Sequence, residues 1–329
     1  MMENNMLDKT YRIETIYTLK APLSHIGSSE STETFLNTIT IRNGDKVNDV
    51  FAYTGNAIRG AWRDAGARYL LDRLGGLKVP KNTFHLLFSG GSISGAQTID
   101  VGAAKQLRGL LPFLSIFGGG VGNQILSGKI TQTFAYPVCK ETDQIIPSGL
   151  DSIDYSAQSI SWTKLTQEVS FSRKDDCKDV LGDTYILQDG AALLDTDQKS
   201  KAKNDKSEPA TQMRYTSEYL IPNTQLYHRL DITCNEIELG ALVASIHEWG
   251  KKPYLGGLIG KGFGLVDAEF IITAKDGERE NFISITNDGL IEMSEQATSA
   301  KESYDETLKS LYTQYIEGNK DILIKMLEG

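Results

Sequence analysis

The sequence is poor in the residues that usually announce an enzyme. Its four histidines (His25, His85, His228, His247) are scattered, with no HxH, HxxxH or HExxH spacing to hold a metal. Three cysteines, Cys139, Cys177 and Cys234, are odd in number and far apart, which argues against a disulfide framework or a CxxC knuckle. No GxSxG surrounds a serine nucleophile, and no DxDxDG calcium loop is present. Carboxylates are plentiful but unpatterned, so no catalytic residue, metal site or cofactor is predicted. No apolar run reaches the length of a membrane span, and the opening MMENNMLDKTYR does not read as a signal peptide. The expectation is a reduced, soluble, cytoplasmic protein.

Glycine is abundant, with 31 residues. The densest run, Leu255–Val266, contains Gly256, Gly257, Gly260, Gly262 and Gly264 around Lys261. It follows an amphipathic helix and opens a strand, whereas phosphate-binding loops run from strand through glycines into helix. Gly262, not Ser or Thr, follows Lys261, so a nucleoside-triphosphate loop is not expected. The bare backbone instead suits close approach by something extended.

At 329 residues and 40% apolar content the chain can fill one large domain or two ordinary ones. Its net charge of −9 argues against a nucleic-acid partner only if the charge is evenly spread. Residues 275–329 hold twelve Asp/Glu against six Lys/Arg, while residues 55–110 hold eight Lys/Arg against three Asp/Glu. Partners respond to the local field, because screening cuts off beyond roughly 8–10 Å.

Tyr11–Ala21 alternates as a strand, followed by a polar stretch over Ser24–Glu33. Thr38–Arg42 reads as a short strand and Asn43-Gly44-Asp45 as a turn. In the helix predicted over Gly55–Leu74, Ile58, Trp62, Ala65 and Tyr69 form the core stripe. Arg59, Arg63 and Arg73 cluster on a second face, and Gly60 and Gly66 invite close backbone approach. Residues 81–130 read as a helical insertion with glycine loops, bearing Lys105 and Arg108 on a helix stopped by Pro112. A strand over Gly128–Val138 follows. Glu168–Ser172 and Met213–Leu220 are the stems of a long hairpin with a mobile tip at 195–208; Arg173, Lys174, Arg214 and Tyr215 lie along it. Gln225–Cys234 is a strand, and Asn235 with Glu238 caps the next helix. Strand Gly264–Thr273, a small hairpin at Asn287-Asp288-Gly289 and an acidic helix over Lys301–Leu327 complete the chain. This order suits an α+β, ferredoxin-like or RNA-recognition-like βαββαβ core with insertions. Glycine loops for phosphates, Arg59 and Arg63 for charge, and Phe263, Tyr215 or Phe117 for base stacking together point to RNA.

The stretch Thr54–Arg63 resembles the first-helix signature of the RAMP superfamily of CRISPR-associated proteins, and Leu255–Val266 resembles its C-terminal glycine-rich loop. Phe84–Ile93, Leu111–Gly119, Val169–Asp176 and Met213–Glu218 are similar to the backbone subunit of type IV CRISPR complexes. The resemblance spans about residues 11–270 and offers no account of the acidic extension 275–329. It implies a ferredoxin-like palm (1–80, 130–165, 220–275), a helical finger (81–130) and a hairpin thumb (165–220). It also implies copies of the chain stacked head to tail along a CRISPR RNA, which is presented to a complementary target beside other effector subunits. Arg59, Arg63 and the Gly260-Lys261-Gly262-Phe263 segment would then lie on the RNA. The resemblance puts Met213, Arg214 and Tyr215 at the thumb, and the basic residues Arg73, Lys105, Arg108, Arg173 and Lys174 are further candidates for RNA contact. Type III backbone subunits cut RNA with an aspartate in the loop after the first strand. Here that loop, Leu23–Glu30, has none, so no nuclease activity is expected. An RNA-cleaving type III-like subunit and a self-assembling protein without nucleic acid are the rival readings.

Overall fold

A computed structural model describes residues 8–91, 101–121, 124–173, 213–273 and 277–316. The alternation from Tyr11 forms strand β1 (Lys9–Leu19), buried on both faces from Ile13 to Tyr17. The polar stretch after it is paired backbone rather than loop, as β2 (Ile26–Glu30) and β3 (Glu33–Leu36). Strands β4 (Thr38–Asn43) and β5 (Lys46–Phe51) turn at Gly44, whose φ of +58° suits glycine.

Helix α1 (Gly55–Arg73) starts where the Thr54 hydroxyl accepts a hydrogen bond from Ala57 N at 3.3 Å. Its predicted stripe of Ile58, Trp62, Ala65 and Tyr69 is buried. The insertion contains α2 (Lys81–Ser89), α3 (Val101–Leu110) and α4 (Pro112–Phe117), the last opened by the proline expected to end its predecessor. Short strands β6 (Gly119–Val121), β7 (Gln124–Leu126), β8 (Ile130–Gln132) and β9 (Tyr136–Pro137) follow. The single strand expected over 128–138 is therefore two pieces.

Strands β10 (Thr166–Arg173) and β11 (Met213–Leu220) pair antiparallel, with Thr166 opposite Leu220 and Arg173 opposite Met213. The tip expected at 195–208 lies outside the described residues. After β12 (Gln225–Cys234), helix α5 (Glu236–Gly250) carries the predicted reciprocal cap. Glu238 N donates to Asn235 Oδ1 at 3.0 Å, and Asn235 N donates to Glu238 Oε2 at 3.1 Å. Strands β13 (Val266–Thr273), β14 (Arg279–Ile285) and β15 (Ile291–Met293) lead into α6 (Glu295–Leu311). That helix begins at the Ser294 cap, ahead of the predicted Lys301, because its first core contacts are the small residues Ala297 and Ala300.

The main sheet is antiparallel in the order β15-β14-β13-β1-β12-β8, with β9 also on β12. Helices α1 and α5 cover the face bearing Ile13, Tyr17 and Phe270. Tyr17 meets Trp249 edge-on at 6.2 Å, and Trp62 lies 5.9 Å from Phe270. Each such fully buried side chain contributes roughly 1.5–3 kcal/mol. Gly66 lets the two helices close up, since a Cβ there would stand 2.1 Å from Ser245 Oγ; beside Gly60 there is only open space. Helix α6 covers α5 as tightly, with Gly240 facing the Ala300 carbonyl. The opposite face of the sheet buries Ile16 and Tyr227 under Val138, Ile146, Leu150 and Ile153. The architecture is α+β, and among the described residues no helix is long and apolar enough to cross a membrane.

Candidate functional site

Three separate stretches of sequence meet at one end of the central strands β1 and β13: the turn after β1, the entry to α1 and the glycine run after α5. Gly264 N donates to Pro22 O at 2.8 Å, Gly257 N to Ser24 O at 2.9 Å and Gly256 N to Tyr53 Oη at 2.8 Å. His25 closes the junction. Its ring lies 4.3 Å from that of Tyr53, and its Nε2 accepts from Thr54 N at 3.3 Å. Burial holds the His25 pKa below its ordinary value and raises that of Tyr53, so the imidazole is a neutral acceptor and the phenol keeps its proton.

The glycines of the run do two different things. At the base, a Cβ on Gly264 would stand 2.0 Å from Leu255 O and one on Gly256 2.3 Å from Ser24 O, and both have positive φ. These two allow the loop to fold onto the chain itself. At the tip, a Cβ on Gly260 or Gly262 would meet no described residue within 4 Å, and both glycines are exposed together with Lys261. The tip is open to a ligand. It leans on the β10–β11 hairpin, where Lys261 Nζ lies 4.1 Å from the centre of the Phe171 ring.

The predicted site residues divide between this junction and other duties. Arg59 is half-buried on the second turn of α1 and donates to Asn56 Oδ1 at 3.0 Å. The first turn of α1 holds no acid, so Arg59 and the positive helix end act in the same direction on an anion.

Arg63 departs from expectation. It is buried, and its guanidinium donates to the carbonyls of Leu87 at 2.7 Å, Leu86 at 2.8 Å, Gly118 at 2.7 Å and Phe117 at 3.3 Å. Desolvation, with the charge of Arg59 adding to it, lowers its pKa to about 10. The predicted phosphate contact is corrected: this cation instead caps the carbonyl ends of α2 and α4.

Arg73 is exposed at the far end of α1. It sits roughly 21 Å along the helix from Arg59 at 1.5 Å per residue, and pairs with Asp305 at 3.3 Å and Tyr69 Oη at 3.0 Å. Phe263 is only 5% exposed, packed against Phe171 and Tyr219, and Phe117 is buried as well, so neither ring presents a face for stacking.

Arg108 donates to Ser127 O at 2.7 Å on the insertion, where Lys105 is exposed. On the hairpin, exposed Arg214 stands opposite Ser172 and half-buried Tyr215 opposite Phe171. Arg173 and Met213 are paired at the ends of their strands, and Lys174 lies outside the described residues. Sequence reasoning missed Tyr53, whose only local signal is a polar aromatic just before a helix cap.

The chain is similar in fold to a chain of a Type IV-B CRISPR complex. The TM-score is 0.53 at 16% identity, over 84% of this chain and 96% of that one. At this identity the likeness is one of fold. No protein-family model matches the sequence, and no curated protein matches it. Among the described residues no three His, Cys, Asp or Glu side chains gather where a metal could be held.

Proposed function

We propose that this chain is a CRISPR-RNA-binding backbone subunit of a type IV-like effector. The observation that carries the reading is a fold likeness extending over 84% of this chain and 96% of the other, not over one common module. The strand order β13-β1-β12-β8, with α1 and α5 on one face, suits a ferredoxin-like palm. The insertion 81–130 is then a finger and the β10–β11 hairpin a thumb. The resemblance of Thr54–Arg63 and Leu255–Val266 to RAMP-superfamily motifs supports the same reading.

The guide is held through its phosphates by Arg59, the first turn of α1 and the Gly260–Gly262 tip with Lys261. The subunit reads backbone and shape, while sequence specificity belongs to the guide. Copies pack head to tail, a heterologous contact that extends along the RNA instead of closing into a ring. The assembly works in the cytoplasm beside other effector subunits. It presents the guide without cutting, because the segment Leu23–Glu30 after β1 offers His25 and Glu30 but no aspartate.

Purification from cells that also express a CRISPR array tests the assignment. A large particle with a high 260/280 ratio and array-derived guides is expected. A monomer free of RNA would overturn it. Regularly spaced cuts in complementary RNA, on adding divalent metal to the particle, would replace it with the cleaving, type III-like reading.

A further inference from the structure

The solvent side of α2 is unusual for a solvent side. Lys81, Phe84, His85 and Phe88 fall at i, i+3, i+4 and i+7, on one stripe, while Thr83, Leu86 and Leu87 fill the buried side. Phe84 is 46% exposed, and its ring stacks on that of half-buried Phe88 at 4.4 Å and 25°. The ring of His85 flanks it at 6.0 Å.

The helix carrying this stripe is firmly mounted. Arg63 ties down the Leu86 and Leu87 carbonyls, and Gly90 ends the helix at φ +87°. Gly91 then bridges to Gly120 so closely that a Cβ would stand 2.3 Å from the Gly120 carbonyl. The surrounding sequence is nearly free of acid. From Leu74 to Lys140 there are six Lys/Arg and one acidic residue, Asp100, in a chain whose net charge is −9.

An exposed ring backed by a half-buried one on a preorganised helix, set in a cationic segment, matches what unpaired nucleotides require: a flat face for the base and positive charge for the phosphate. We propose that the Lys81–Phe84–His85–Phe88 stripe binds single-stranded nucleic acid by stacking a base on Phe84. It is a second contact, separate from α1 and the glycine tip, and nothing in the guide-binding reading requires it.

Fluorescence anisotropy on the full chain tests this, with labelled oligothymidylate and a matched strand of abasic sites as probes. Phe84→Ala is expected to weaken oligothymidylate binding roughly 5- to 150-fold, the range for removal of one base stack. Affinity for the abasic strand should stay put, and Phe84→Trp should retain full binding. Because Phe84 is outside the core, circular dichroism should show all variants folded. Arg59→Ala, which concerns the guide path, should leave the ratio between the two probes unchanged, so the two readings fail separately. Failure of the wild-type chain to bind oligothymidylate, or equal binding by Phe84→Ala, overturns the proposal. Full retention by Phe84→Leu overturns it too, and would mark the stripe as an apolar docking face.

Discussion

Arg63 is the residue whose role changes most between sequence and structure. Its spacing from Arg59 places it on a cationic face, but the insertion folds back over it and four carbonyls take its guanidinium. Only a planar fork of donors satisfies two helix ends at once, so lysine is not a substitute. Arg63→Ala should cost at least about 3 kcal/mol in urea denaturation, and Arg63→Lys nearly as much, because charge-assisted bonds disappear and buried carbonyls are left unpaired. A variant as stable as wild type, but defective in RNA binding, would return Arg63 to the ligand.

His228 makes a second residue-scale prediction. It is fully buried beside Tyr17 and Trp62, and desolvation lowers its pKa to about 3. The unfolded chain takes up a proton there below about pH 6.5, while the folded chain refuses it until about pH 3. Stability is thus complete above pH 6.5 and falls as the pH drops through that window, by about 1.4 kcal/mol per unit once well inside it. Burial lowers His25 and His247 as well, in the same direction. His228→Phe should flatten the slope of unfolding free energy between pH 7 and pH 5. An unchanged slope would show that His228 titrates normally.

At the scale of elements, the glycine run separates packing from presentation. Gly264 has a φ of +88° and no room for a Cβ, whereas Gly260 faces open space. Gly264→Ala should therefore destabilise the fold by more than about 2 kcal/mol through strain and displaced backbone. Gly260→Ala should melt within a degree or two of wild type while weakening guide retention. Equal behaviour of the two variants, in melting and in RNA content, would remove the distinction between base and tip.

Elements governed by local rules were legible in the sequence: β1, β12, the α1 stripe, the Asn235–Glu238 box and both hairpin stems. The β2–β3 ribbon was not, because its five-residue β2 is fully exposed and shows no buried alternation. It is ordered instead by long-range pairing, with β3 running parallel to β11 and Glu218 accepting from Leu36 N at 2.9 Å. The early start of α6 was not legible either, because alanines carry little periodic signal.

For the whole molecule, the proposed reading sets guide binding in the cationic segment over 55–110 of an acidic chain, so it should be local and salt-sensitive. On the proposed reading, Arg59→Ala combined with Lys261→Ala should lower guide affinity. It should also make the slope of log K against log salt shallower by about 0.7 for each phosphate that is no longer neutralised. Titration of guide RNA at several salt concentrations checks this, and an identical slope would take both residues off the path.

By itself the sequence determined the α+β class, most helices and strands, and the glycine run, because periodicity, caps and turn residues act over a few neighbours. Tertiary structure alone decided which cations and rings remain available. Arg63 and Phe263 are occupied by groups that lie 23 to 92 positions away in the chain, such as Leu86 and Phe171, while Arg73 stays exposed beside Asp305. Phe84 is left facing solvent. Availability is settled by what the rest of the chain buries, and no local pattern encodes that.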